Sequence, residues 1–158
     1  MFNMSRLVEL LEEQRKLELS HVERLRPTLE ATQNRLASAV IESIIYDSHK
    51  HAALCGALAG VEAGAVPVKM EMDTMTALRL AQSVRQHIRV EEEMIGRLEK
   101  ILELVRDDRV AELLGYLLQD ERRHHSMLTR LAVLLDREET SMDEYLSLAQ
   151  KYMFIQPP

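Results

Sequence analysis

The chain has a single cysteine, Cys55, no tryptophan, five glycines and four prolines, and aromatic residues make up only 4% of it. One cysteine excludes an internal disulfide and any Cys-x-x-Cys metal site. With two of the prolines at the extreme C-terminus, turn-forming residues are scarce, whereas Leu, Ala, Glu, Arg and Met, all good helix formers, are abundant. Excess positive charge is also missing: 20 Lys and Arg against 26 Asp and Glu leave a net charge of -6, which argues against a nucleic-acid partner. No apolar run approaches the ~20 residues needed to span a bilayer, and the first fifteen residues are charged and amphipathic. The expectation is an all-α, cytoplasmic protein without a membrane segment. A length of 158 residues, 46% hydrophobic and 29% charged, suits one domain, 1–158, with a sizeable core.

Apolar residues recurring at three and four predict helices over about 4–31, 35–60, 74–105, 108–135 and 142–152. Asn3 or Ser5 is the expected cap of the first helix, and Pro27 is expected to kink it or end it early. Ser141-Met142-Asp143-Glu144 reads as a capping box opening the short last helix. The stripes run through Leu7, Leu11, Leu25 and Leu29, then Val40, Ile44, Leu54 and Leu58, then Leu80, Val84, Met94, Leu98 and Leu102, and finally Val110, Leu113, Leu117, Leu128 and Leu135. The stretch from Gly60 to Asp73 is the only long non-helical one. About 13 extended residues reach ~43 Å, and a 28-residue helix is ~42 Å long. Such a segment can cross the length of a bundle and let the second and third helices run parallel.

Within the fourth stripe, Gln119-Asp120-Glu121-Arg122-Arg123-His124 places a carboxylate and an imidazole three residues apart on one helical face. Ionisable groups on a core-facing stripe are costly unless paired or bound. A Glu-x-x-His on the inward face of a long helix is the ligand pattern of dimetal carboxylate bundles. A second set follows from an internal repeat. A shift of 73 residues places Glu18 on Glu91, Asp47 on Asp120, Ser48 on Glu121 and His51 on His124, and aligns Leu7 with Leu80, Leu25 with Leu98 and Leu58 with Leu131. Two equivalent helical hairpins suggest a four-helix bundle with approximate two-fold symmetry.

The segments Asp47-Ser48-His49-Lys50-His51-Ala52 and Asp120-Glu121-Arg122-Arg123-His124 resemble the paired Asp-Glu-x-x-His motifs of the ferritin-like superfamily, most closely bacterioferritin and rubrerythrin. The resemblance covers roughly Ser5 to Leu135. It implies a ferritin-like four-helix bundle, two antiparallel hairpins joined by a long crossover, with a short C-terminal fifth helix. It also implies an iron site on Glu18, His51, Glu91, Glu121 and His124, with Glu121 as a bridging carboxylate. Ser48 stands where the family has its second bridging Glu, so the implied site is altered. His49 falls where bacterioferritins have a haem-binding methionine; an exposed helix histidine is the plainer reading.

Asp47 and Asp120, one turn before the histidines, are candidates either to ligate or to orient an imidazole. His21 and His87 flank Glu18 and Glu91 and could supply nitrogen donors in place of the missing carboxylate, turning metal preference toward zinc, copper or nickel. Equally, they could fill the core and hydrogen-bond the outer oxygens of those glutamates. Two functions follow. One is a metal-binding oxidoreductase of ferroxidase or peroxidase type, using iron, or manganese or zinc, with oxygen or peroxide as partner and a homo-oligomeric assembly. The other is a structural or interaction bundle without redox activity.

Overall fold

Capping side chains fix the starts of four of the five helices. In the computed structural model, which describes residues 4–65, 69–71, 73–137 and 139–154, the elements are α1 (Met4–Ala31), α2 (Arg35–Glu62), β1 (Lys69–Glu71), α3 (Thr74–Leu104), α4 (Asp108–Leu135), β2 (Glu139–Ser141) and α5 (Met142–Tyr152). Asn34 Oδ1 accepts from the amides of Leu36 and Ala37, Asp73 from Thr76, and Asp107 from Arg109 and Val110. Each satisfies donors that the first helical turn leaves without intrahelical partners. Ser141 and Glu144 form the expected capping box at α5. The expected cap Asn3 lies outside the described residues.

One expectation is corrected. Pro27 lies inside α1 and does not end it. It falls on an exposed position in the last two turns, where water can satisfy the carbonyl it orphans. Within the connection after α2, Lys69–Glu71 pairs antiparallel with Glu139–Ser141, Met70 opposite Thr140. Helix α2 runs two residues past its predicted end. It closes at Gly64, whose φ of 67° suits only a residue free of a Cβ clash, with the Gly64 amide bonded to the Val61 carbonyl.

The chain forms two compact units, Met1–Pro67 and Val68–Pro158. In the first, α1 and α2 make a helical hairpin around Val22, Ala52 and Ala59. Small residues let the helices approach closely, and the Arg15 side chain lies across Gly56, where an added Cβ would sit 3.2 Å from it. In the second, α3 and α4 form the equivalent hairpin around Ala81, Leu118, Ala132, Leu134 and Leu135. Buried Thr140 donates its hydroxyl to the Leu134 carbonyl at 2.8 Å and so fixes β2 to the end of α4. Helix α5 then packs on α4, and Arg85 of α3 forks onto Asp136 just past the end of α4.

The apolar stripes are only partly buried: Val40, Ile44, Leu80, Met94, Val110, Leu113 and Leu117 are exposed. A pair of helices encloses only the line along which they touch, and a stripe wider than that needs a further layer. No described helix is long and apolar enough to cross a membrane.

Candidate metal centre

Helices α3 and α4 bring the carboxylates of Glu91 and Glu121 and the imidazole of His124 together, with one potential donor atom from each within 4.8 Å of the others. Glu121 and His124 are one turn apart on α4, and His124 Nδ1 lies 3.3 Å from Glu121 Oε2. The Glu121 side chain is only 14% exposed. Burial pushes the Glu91 carboxyl above its ordinary range, and the facing Glu121 carboxyl pushes it further, against the smaller opposing pull of His124 and His125. Glu91 Oε2 is buried and has no hydrogen-bond partner among the described residues. A buried carboxylate oxygen left in this condition is costly. Two carboxylates and an imidazole with one orphaned oxygen form a donor set that fits a divalent transition metal.

The equivalent place on α1 and α2 is built from different groups. Glu18 Oε1 lies 3.6 Å from His51 Nδ1 and accepts from Gln14 Nε2 at 3.0 Å. Ser48, 4% exposed, occupies the position equivalent to Glu121 and lies 3.3 Å from His21 Nδ1. Burial raises the Glu18 carboxyl, but hydrogen bonds from Ser48 and Gln14 and the charges of His51 and His21 outweigh it, leaving Glu18 below its ordinary range. Glu18 and Glu91, equivalent in the repeat, are thus perturbed in opposite directions. Among the described residues this hairpin contains no cluster matching that of Glu91, Glu121 and His124.

The remaining candidates sit as follows. Asp47 pairs with Lys50 at 2.6 Å and Asp120 with Arg123 at 2.9 Å, each a salt bridge along its own helix. His21 meets Ser48, which neither of its two expected roles included. His87 and His49 are exposed. His125 Nε2 lies 3.2 Å from Glu92 and links α3 to α4 beside the cluster. The part played by Gln14 was not anticipated, although its place four residues before Glu18 is a sufficient signal for a side-chain hydrogen bond on a helix.

The family model for Rubrerythrin matches residues 9–132, a stretch that contains all five expected ligands. Neither a curated protein nor a solved structure matches the chain. A family match over most of the 158 residues, together with an all-α architecture of two helical hairpins and a short fifth helix, shows that the chain belongs to the rubrerythrin family and has the ferritin-like fold.

Proposed function

We propose that the protein binds a transition metal through Glu91, Glu121 and His124, that Glu18 and His51 are metal ligands on their own hairpin, and that it is an iron-dependent oxidoreductase acting on oxygen or peroxide. The observation that carries this reading is the Glu91–Glu121–His124 cluster with its orphaned Glu91 oxygen, since an added cation would satisfy that atom and cancel the repulsion between two carboxylates. Family membership makes iron the first candidate; manganese and zinc suit the same donors, and zinc would make the site redox-silent. Iron, when bound to such ligands, supplies electron transfer to oxygen or peroxide. The chain's own residues hold the charge and shape of the site: Glu91 and Glu121 provide negative charge, and neutral His124 offers a nitrogen lone pair. His125 and Glu92 tie the two helices together beside them.

The reading also includes a cytoplasmic homo-oligomer, for which exposed Leu36, Val40, Leu104 and Leu113 supply apolar surface. The competing reading, a structural bundle that has lost metal chemistry, is favoured by Ser48 alone. It leaves unexplained why Glu18, Glu91, His51 and His124 have not been replaced by apolar residues. Metal analysis of protein purified without added metal or chelator separates the two. Glu121→Ala and His124→Ala are each expected to abolish tight binding, one by removing a carboxylate between the helices and the other a nitrogen donor. Wild-type metal content in either variant would reject the assignment.

A further inference from the structure

We infer that the two hairpins are unequal metal holders: Glu91, Glu121 and His124 form a self-sufficient site for one divalent transition ion, whereas Ser48, standing in the place of Glu121 and bonded to His21, leaves the hairpin of Glu18 and His51 binding only weakly. This deepens the proposed function and rests on it. Ser48 brings a hydroxyl where the other hairpin has the carboxylate of Glu121. A serine hydroxyl has one proton to give and can accept from others. Here the hydroxyl lies 3.3 Å from His21 Nδ1, a hydrogen bond between an uncharged oxygen and an imidazole at the place where the other hairpin has a carboxylate. The Glu18 carboxylate accepts from Gln14 Nε2 at 3.0 Å, and His51 Nδ1 lies 3.6 Å from it.

Glu18 is therefore satisfied with no cation present. A metal arriving there must displace hydrogen bonds already made, and it meets only Glu18 and His51 as strong donors, because a serine hydroxyl is a poor substitute for a bridging carboxylate. Glu91 is in the opposite condition. Its partner across the hairpin is another carboxylate, one of its oxygens is buried without a partner among the described residues, and a cation relieves both. The repeat that aligns Ser48 with Glu121 makes this a difference of one side chain at one position.

The test is titration of metal-free full-length protein with Co(II) alone, followed by calorimetry and by the visible absorption of the bound ion. Tight uptake of about one equivalent per chain is expected, followed by a weak phase. Glu91→Gln should weaken the tight phase more than about 100-fold, beyond the loss usual for an outer partner of a ligand. Glu18→Gln should remove the weak phase and leave the visible spectrum of the first equivalent in place. Ser48→Glu should convert the weak phase into a second tight equivalent, with helical circular dichroism checking that the buried carboxylate is tolerated. The comparison of Glu18→Gln with Glu91→Gln does not depend on that variant. Two tight equivalents in the parent protein, or a tight equivalent lost in Glu18→Gln and kept in Glu91→Gln, would overturn the inequality while leaving metal binding intact. No uptake by the parent protein would overturn both the inequality and the proposed function.

Discussion

Glu18 and Glu91 occupy equivalent repeat positions, yet their carboxyls are displaced in opposite senses: burial raises both, Glu121 adds to the rise at Glu91, and hydrogen bonds together with the nearby imidazoles outweigh it at Glu18. The consequences for stability have opposite signs. Glu18 titrates below its ordinary 4.5 in the folded chain, so the stability it contributes is fully present above that pH and is lost as pH falls through the folded value. Glu91 titrates above 4.5, so between that value and its raised one the folded chain holds more proton than the unfolded chain, and stability falls as pH rises through the window. In metal-free protein, Glu91→Gln is accordingly expected to be more stable than the parent at neutral pH, and Glu18→Gln less stable. Urea midpoints for the three proteins between pH 4 and 7 check this, and variants shifted in the same direction would contradict it. Glu91, Glu121 and His124, which the structure brings together, were candidates from spacing and from the repeat. The bond between His21 and Ser48 was not legible, because a serine within a helix carries no sequence mark of what it faces across the hairpin.

At the scale of elements, the repeat is more regular than the residues that built it. The shift of 73 carries both ends of α2 onto those of α4, the cap Asn34 onto Asp107, and Ala63 onto Asp136, whose amides each bond to equivalent alanine and valine or leucine carbonyls. Different residues thus perform one task, since Asn and Asp both offer an oxygen to the amides two and three positions on. Asn34→Ala and Asp107→Ala are each expected to cost about 1 kcal/mol, read from denaturant midpoints at constant slope. A loss near zero at both would show that water replaces these caps. The capping box at Ser141 was legible in the sequence, whereas Asn34 and Asp107 cap their helices without having been expected as caps. The β1–β2 pair was not legible, since three-residue strands are too short for alternation to register, and their partners lie about 70 residues apart. The exposed side of each stripe also escaped the sequence, because periodicity reports that a face is apolar without reporting what covers it.

For the molecule as a whole, the proposed site ties metal to folding. A chain that holds Glu91 and Glu121 face to face carries a repulsion that only protonation or a cation relieves, so the metal-loaded protein should be the more stable form. Free ion at one hundred times its dissociation constant contributes about 2.7 kcal/mol. For a chain of this length that corresponds to a rise of roughly 5–10 °C in melting temperature, since each kcal/mol shifts it by about 2–4 °C. The rise should follow the ion and not its counter-ion, should be reversed by a chelator, and should disappear in Glu91→Gln, which keeps the shape of the side chain and removes its charge. Glu18→Gln should keep most of it if Glu91, Glu121 and His124 hold the ion unaided. Scanning calorimetry of the parent and both variants, with and without Co(II), makes the comparison. An identical melting temperature in the presence and absence of the ion would mean that the carboxylates are not brought to one cation, and the apo repulsion would then have to be relieved by a proton retained on Glu91.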